Sequence, residues 1–311
     1  MKSLLRKRIR LSISDPSLGA RVPRLEACSW SCPAIRSARR GRSATTATTR
    51  TERASTSRES MKQIVGVIGI GMIGGTLAIR LAEAGYTVKI ANSKDPKTVR
   101  APFAGQKGIE PVWAHEAARN VDLVILSVPY SAIPDLAVSA FSGTEGPAVI
   151  DTGNYFPDRD RNLPGFRPEH VDSVWVSQTI GRAVYKAFNT IHCFALEKGG
   201  LPPGSPGRIG LPVAGAAGST KADVFSLVDA VGFDPVDAGR LEDSWRQHMP
   251  TPVFLADLPA VAVPQALAAA HRERSPFVVT AERRAEQREL ARRWQPSHRL
   301  LGLMRAAGID V

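Results

Sequence analysis

Short apolar runs alternate with segments of helical period along the chain from residue 61 onward. Apolar and β-branched runs that end at glycine or polar residues are typical of buried strands. Helical spacing of apolar residues, as at Ile73, Leu77 and Leu81, predicts a helix. The pattern predicts strands over 64–68, 87–91, 121–128, 148–151 and 183–187, and helices over 71–84, 114–119, 131–141 and 169–180. This alternation predicts an α/β fold with a Rossmann-type, doubly wound parallel sheet.

A small C-terminal α/β extension follows this sheet. Residues 199–207 read GGLPPGSPG, a run of residues that predicts a loop. A strand over 210–214, a helix over 220–231 and a strand over 234–237 come next. Beyond residue 254 the pattern is helical, with Ala- and Arg-rich stretches at 264–274 and 281–294. We therefore expect a Rossmann-type domain over 61–254 and a helical C-terminal extension over 255–311.

The first 60 residues carry most of the net charge. The chain has 41 Lys and Arg against 29 Asp and Glu, a formal net charge of +12. Residues 1–60 hold 14 of the basic and 4 of the acidic residues, which leaves 27 against 25, or +2, for residues 61–311. Since the folded part is almost neutral, it has no general basic face, and we expect no nucleic-acid partner for it.

Residues 1–60 are dominated by Ser, Thr, Arg and Ala, and they lack a periodic apolar face. Such a composition predicts disorder. Three explanations remain open: an organellar transit peptide, a nucleic-acid-binding arm, or an overlong gene start. We favour the overlong start, because Met61 is followed at once by KQIVGVIGIG, which is how this kind of domain usually begins.

The cysteines and the apolar runs bear on where the protein works. Cys28, Cys32 and Cys193 are too few for a disulfide framework, so we expect a reducing, cytoplasmic location. Cys28 and Cys32 have no His or further Cys at metal-ligand spacing, so we predict no metal site. The apolar stretch over 121–130 is much shorter than the roughly 18 to 20 residues that span a bilayer, so we expect no membrane partner.

A glycine-rich motif of the form GxGxxG joins the first predicted strand to the first predicted helix. The first glycine permits a tight turn, the second lets the backbone approach a pyrophosphate, and the third lets helix pack on strand. Phosphates would then lie at the helix N-terminus, where free N–H groups and the helix dipole favour an anion. The motif predicts a dinucleotide site with six cofactor-binding residues, namely Gly69, Ile70, Gly71, Met72, Ile73 and Gly74.

The residues that end the second strand indicate which dinucleotide binds. NAD requires an Asp or Glu there, which accepts a hydrogen bond from the ribose 2′-OH. This chain has Asn92, Ser93 and Lys94, with Lys97 and Arg100 close by. Donors and positive charge suit a 2′-phosphate, so we predict NADP(H). The alternative is that the two lysines are solvated loop charges and that Asp95 meets the 2′-OH.

A family resemblance rests on six blocks that occur in order. They are MKQIVGVIGIGMIGGTLAIRLAEAGYTVKIANSKDP, LVILSVPYSAIPDL, VIDTGNYFPDRD, VYKAFNTI, LPVAG and VGFDPVDAGRL. Together they resemble the NADPH-dependent coenzyme F420 reductase family, which is related to the oxidoreductase domain of six-transmembrane metalloreductases. The resemblance runs from about Met61 to Phe254.

The resemblance implies hydride transfer between NADP(H) and a flavin or deazaflavin, with F420, FAD or FMN as the acceptor. It places Val128, Pro129 and Tyr130 at the ribose and nicotinamide. Asn154 and the run Phe188, Asn189, Thr190 and Ile191 would face the nicotinamide and the acceptor ring. The deazaflavin enzymes tend to carry a histidine in place of Asn189, whereas the FAD-using domains share KAFNT, so the acceptor stays open between them.

Direct hydride transfer requires few catalytic side chains, because the protein mainly stacks two rings and excludes water. No acid or base is therefore expected to be obligatory. Lys186 is predicted either to take part or to pair with a surface carboxylate, and Cys193 to be packing. Residues 245–248, with sequence WRQH, either close over the substrate or form a polar dimer edge. We expect a homodimer.

Two other functions remain open. The glycine loop also begins imine reductases akin to pyrroline-5-carboxylate reductase, and the chain could instead be an NADP(H)-sensing protein without catalysis. Turnover of a cyclic imine without flavin would indicate the first function. Binding without hydride transfer would indicate the second.

Overall fold

The computed structural model describes residues 63–272, apart from gaps at 100–102, 104, 144, 161–162, 164, 168–169 and 250, together with residues 298 and 301–303. The predicted disordered tail over 1–60 and the predicted helical stretch over 281–294 lie outside the described residues. Arg100 also lies outside them.

A six-stranded, fully parallel sheet forms the centre of the fold. Its strands are β1 (Ile64–Ile68), β2 (Thr87–Ala91), β3 (Ile109–Pro111), β4 (Leu123–Leu126), β5 (Ala148–Asp151) and β6 (Val184–Lys186). Their order in space is β3-β2-β1-β4-β5-β6, so the chain reverses direction across the sheet between β1 and β4. That topology confirms the Rossmann-type, doubly wound fold, in which ligands lie beyond the carboxyl ends of the strands at the reversal.

Helices cross over between the strands. They are α1 (Met72–Glu83), α2 (Ala114–Ala117), α3 (Ile133–Ser139), α4 (Pro157–Asp160), α5 (Asp172–Ile180) and α6 (Cys193–Lys198). The short edge strand β3 was not predicted, because a three-residue run that contains Glu110 and Pro111 gives no periodic signal.

Apolar side chains alternate between the two faces of the sheet. Along β4, Leu123 and Ile125 belong to one hydrophobic cluster, whereas Leu126 belongs to the other. Both faces are thus covered, which is why the strands are almost wholly apolar. Burial on both faces makes the sheet a rigid platform for the loops at its carboxyl edge.

The extension adds β7 (Gly210–Val213), α7 (Ser219–Ala230) and β8 (Asp234–Asp237), with β7 and β8 paired in parallel. Backbone hydrogen bonds in both directions join Lys186 of β6 to Ala214 just after β7. The small sheet is therefore attached to the large one beside the last central strand. A 3-10 segment (Leu241–Gln247) and helix α8 (Val263–Ala268) follow.

A close contact links the start of α1 with the far end of the chain. Leu303 is fully buried in the larger hydrophobic cluster. A Cβ atom at Gly75 would lie only 2.6 Å from Leu303 Cδ2, so Gly75 provides the space for this leucine. Among the helices in the described part of the chain, none combines the length and apolar character needed to cross a membrane.

Candidate functional site

The glycine loop has the geometry that a dinucleotide requires. Gly69 adopts φ 92°, and a Cβ there would lie 2.2 Å from Ser127 O. A Cβ at Gly74 would lie 1.9 Å from Gly69 O, so the loop and helix approach too closely for any side chain. Gly71 caps α1 without a side-chain hydrogen bond. The first N–H groups of α1 are therefore not occupied by a side-chain cap, and they suit an anion.

The loop after β2 presents the residues predicted for the 2′-phosphate. The Asn92 side chain accepts a hydrogen bond from the Lys94 N–H at 2.8 Å, which fixes the turn. Ser93 and Lys94 are exposed beyond it. Asp95, the alternative ribose ligand, already accepts from the Lys97 N–H at 2.8 Å and caps a 3-10 turn (Pro96–Thr98). This arrangement leaves the donors and the lysine charge facing solvent.

Asn154 and Asn189 lie against each other across the carboxyl ends of β5 and β6. Asn154 Nδ2 donates to Asn189 O at 2.9 Å, and Asn189 Nδ2 donates to Asn154 Oδ1 at 3.1 Å. Phe188, just before Asn189, has φ 62° and is buried. A bulky residue in the left-handed region is strained, and such strain is concentrated at functional sites.

The turn after β4 lies at the same carboxyl edge of the sheet, and we call the space beyond this edge the cleft; the ring of Tyr130 is buried beneath the edge and does not face the cleft. Tyr130, predicted at the ribose, is fully buried, and its hydroxyl donates to Asp151 at 2.7 Å. Asp160 accepts from the Tyr130 N–H and from the Phe156 N–H, each at 2.9 Å. It thereby ties the turn over 128–130 to the loop that carries Asn154. Pro129 is exposed on that turn, and Val128 is half-buried.

A layer of buried charges lies beneath the cleft, and we call Tyr130, Asp151, Asp172, Lys186 and His248 the ionic layer. Lys186 Nζ lies 3.1 Å from Asp151 Oδ2, 3.4 Å from Asp172 Oδ1 and 3.0 Å from the Tyr130 hydroxyl. The expectation that Lys186 pairs with a surface carboxylate is wrong, since its side chain and both carboxylates are almost fully buried. The imidazole Nε2 of His248 lies against Asp172 Oδ1.

Burial and charge act in opposite directions on the ionic layer. Burial alone would raise the pKa of Asp172, but the nearby His248 and Lys186 outweigh it and hold the pKa below its usual value. Burial, together with the negative charges of Asp151 and Asp172, raises the pKa of Tyr130 well above its ordinary value. Tyr130 therefore stays a neutral hydroxyl that bridges Lys186 and Asp151.

The ionic layer holds the backbone of the loop that follows β5. Gly153 donates its N–H to Asp151 Oδ1 at 2.9 Å, and its carbonyl accepts from Lys186 Nζ at 2.6 Å. The Tyr155 N–H donates to Asp172 at 3.3 Å. Asn154 lies between these two anchored residues, so the ionic layer determines where its amide points.

The 3-10 segment Leu241–Gln247 and the residues that follow it hydrogen-bond to the KAFNT block, residues 186–190. Gln247 O accepts from Asn189 Nδ2 at 2.9 Å, and Thr190 O accepts from the Leu255 N–H at 2.8 Å. Gln247 is fully buried and His248 is almost fully buried within a single chain. These two residues therefore do not form a polar surface edge at which a second copy could pack. Trp245 is only partly buried, and the Arg246 guanidinium lies 4.5 Å from its ring centre.

The remaining candidates pack rather than face the cleft. The side chain of Ile191 belongs to the main hydrophobic cluster. His192 caps α6 by accepting from the Phe194 N–H at 3.3 Å. Burial raises the pKa of the Cys193 thiol to about 11, which keeps it protonated and unreactive. The prediction that Cys193 serves packing agrees with this burial.

Sequence reasoning missed Asp151 and Asp172, and it did not anticipate that Gln247 is fully buried. Asp151 and Asp172 stand at the end of a strand and at the start of a helix, which are places where exposed acids are also common. A lysine between Tyr185 and Ala187 in an apolar run was the available signal, because a buried lysine requires acidic partners.

Comparisons with known proteins agree with this geometry. Residues 64–155 match the family model described as NADP oxidoreductase coenzyme F420-dependent, which confirms the resemblance and supports NADP-linked oxidoreduction. Protein YjhV of Escherichia coli K12 is 40% identical over 63 residues, a match that covers 20% of this chain and 46% of that relative.

Two solved structures are also similar. The hypothetical protein SMa0349 from Sinorhizobium meliloti is 29% identical, with a TM-score of 0.54, over 64% of this chain and 95% of that one. A structure described as a "putative f420 dependent nadp-reductase" from Arthrobacter sp. FB24 is 23% identical, with a TM-score of 0.46, over 58% of this chain and 86% of that one.

Proposed function

We propose that the protein transfers a hydride between NADP(H) and a flavin or deazaflavin acceptor, with F420, FAD and FMN as candidates. The observation that carries the proposal is the placement of the Asn154–Asn189 amide pair. It lies at the same carboxyl edge of the sheet as the glycine loop, on the other side of the reversal between β1 and β4. Dinucleotides bind across such a reversal, which directs the nicotinamide toward β5 and β6.

The residues present suit NADP(H). The glycine loop and the start of α1 would hold the pyrophosphate, and Ser93 with Lys94 would hold the 2′-phosphate. Bound NADP(H) supplies or accepts a hydride at C4 of its nicotinamide. What this chain contributes is orientation: both edges of the cleft are fixed by hydrogen bonds, one to the ionic layer and the other to Gln247 and Leu255.

The chemistry of the cleft favours an acceptor that needs no protein acid. Reduction of an imine requires a proton for its nitrogen, and enzymes generally supply it from a positioned acid. Beneath this cleft the titratable groups are buried and already paired: the Tyr130 hydroxyl donates to Asp151, and Lys186 contacts both carboxylates. Neutral amides line its edge instead. A flat ring that accepts the hydride, delocalises the resulting negative charge and takes its proton from solvent fits these residues better than an imine.

A purified-protein screen tests the proposal. The full chain is incubated with NADPH and, separately, F420, FMN, FAD, a cyclic imine or no acceptor, and NADPH absorbance is followed. We expect oxidation with F420 or a flavin and none with the imine alone. Turnover of the imine without flavin would favour an imine reductase, and tight NADPH binding without turnover of any acceptor would favour a sensor. A homodimer and a cytoplasmic location stay predictions.

A further inference from the structure

Four of the buried side-chain polar atoms without a hydrogen-bond partner belong to the 3-10 segment Leu241–Gln247 and to the KAFNT block, which meet at the hydrogen bond between Gln247 and Asn189. Gln247 is fully buried, yet neither Oε1 nor Nε2 of its side chain has a partner among the described residues. Asn189 Oδ1 and Ser244 Oγ are unpartnered there as well. Buried polar groups in proteins are almost always paired, so each of these atoms requires an explanation.

The position of Gln247 relates this cluster to the cleft. Its backbone carbonyl accepts from Asn189 Nδ2 at 2.9 Å, and Asn189 in turn contacts Asn154. The unpartnered amide therefore belongs to the residue that touches the edge of the proposed nicotinamide site. No backbone or side-chain group in the described part of the chain hydrogen-bonds to the side-chain amide of Gln247.

An unpaired primary amide offers one acceptor and two donors side by side. The best complement is another primary amide, because the two groups can exchange two hydrogen bonds. The nicotinamide ring carries such a group, its carboxamide. On the basis of the proposed function, we infer that the Gln247 side chain recognises the carboxamide of NADP(H), so that Gln247 is a cofactor-binding residue supplied by the extension.

Gln247→Met tests the inference, because methionine has similar length and no amide. A buried amide without a partner destabilises the fold, so its replacement by an apolar isostere is neutral or stabilising when no cofactor is present. We expect Gln247→Met to raise or keep the Tm of the cofactor-free protein while weakening NADP⁺ binding about ten- to hundredfold. A merely structural role predicts a lower Tm and no specific loss of NADP⁺ affinity.

Two ligands separate the carboxamide from the rest of the cofactor. Adenosine 2′,5′-bisphosphate lacks the nicotinamide, and the 3-acetylpyridine analogue of NADP⁺ lacks the amide nitrogen. By calorimetry, the wild type should bind NADP⁺ about tenfold or more tightly than the analogue, and Gln247→Met should bind the two almost equally. Affinity for the bisphosphate should not change. Gln178→Leu, at an exposed position on α5, is the matched control and should behave as wild type.

The outcomes are distinct. Unchanged discrimination in Gln247→Met overturns the inference, as does an equal loss of affinity for the bisphosphate, which would mean that Gln247 acts through folding. A raised KM for the acceptor with unchanged NADP⁺ binding overturns it too, because the amide would then belong to the acceptor. Failure of the wild type to bind either NADP⁺ or the bisphosphate overturns the proposed function itself, and this inference with it.

Discussion

Lys186 Nζ lies 2.6 Å from the carbonyl oxygen of Gly153, so a fully buried cation holds the backbone of the loop that presents Asn154. The same residue exchanges backbone hydrogen bonds with Ala214. One lysine thus connects the central sheet, the small sheet and the cleft. The buried carboxylates of Asp151 and Asp172 balance the charge of Lys186.

Removal of the Lys186 charge should destabilise the protein strongly. Lys186→Met leaves buried Asp151 without its cation and leaves Asp172 with His248 alone, and removing one partner of a buried ion pair typically costs about 3 to 5 kcal/mol. Urea unfolding should show that loss, whereas Lys89→Met on β2 should cost less than about 1 kcal/mol, because Lys89 is partly exposed. Equal losses in the two variants would contradict the role of the ionic layer.

Preference for NADPH should depend on Lys94. Lys94→Glu places a negative charge beside the proposed 2′-phosphate, and NADPH affinity should fall about ten- to hundredfold while NADH affinity hardly changes. Fluorescence titration with both cofactors measures this difference. Lys107→Glu is the matched control, because Lys107 is exposed on the loop before β3, and it should change neither affinity. An equal loss for NADH and NADPH would show that Lys94 acts through folding.

Asn189 should affect hydride transfer more than cofactor binding. A Trp at position 189 fills the edge of the cleft, so Asn189→Trp should abolish turnover while NADPH, anchored by its adenosine half, still binds. Asn189→Asp adds a charge beside the hydride path and should slow turnover as well. Stopped-flow absorbance with the best acceptor measures both rates. Retained turnover in both variants would remove Asn189 from the site.

The ionic layer should make the fold sensitive to acid. The pKa of Asp172 is lower in the folded than in the unfolded chain, so its contribution to stability is present above its unfolded pKa of about 4 and is lost as the pH falls below that value. Urea unfolding at a series of pH values from neutral to about 3 measures the loss. Asp172→Asn should be less stable at neutral pH and should show a smaller decrease at low pH. An equal loss of stability at low pH in the wild type and in Asp172→Asn would show that other carboxylates cause the acid sensitivity.

Cys193 should be inert in the native protein. With a pKa of about 11, only about one thiol in a thousand is ionised at pH 8. In a Cys28→Ser, Cys32→Ser background, reaction with a disulfide reagent should be at least about a hundredfold slower than that of a free thiol, and it should become fast in urea. Fast native labelling would mean that α6 opens readily.

The sequence predicted those features that depend on neighbours along the chain. The bounds of β1, β2 and β5 follow from short apolar runs, and the glycine loop follows from its spacing. The ionic layer could not be predicted in this way, because its members come from β5, β6, α5 and the turns after β4 and after the 3-10 segment. Burial of Gln247 was missed for a related reason: nothing near it in sequence shows that Asn189 lies opposite.

The separation of the ionic layer from the amides above it has an evolutionary consequence. Charges that fix the loop backbone contact Gly153 and Tyr155, whereas the amide side chains of Asn154 and Asn189 contact each other at the carboxyl edge of the sheet. Substitutions among the amides therefore leave the supporting charges intact. Such a division lets a lineage change its hydride acceptor by few mutations without first acquiring compensating stability, and it marks Asn154 and Asn189 as the place to redesign acceptor choice.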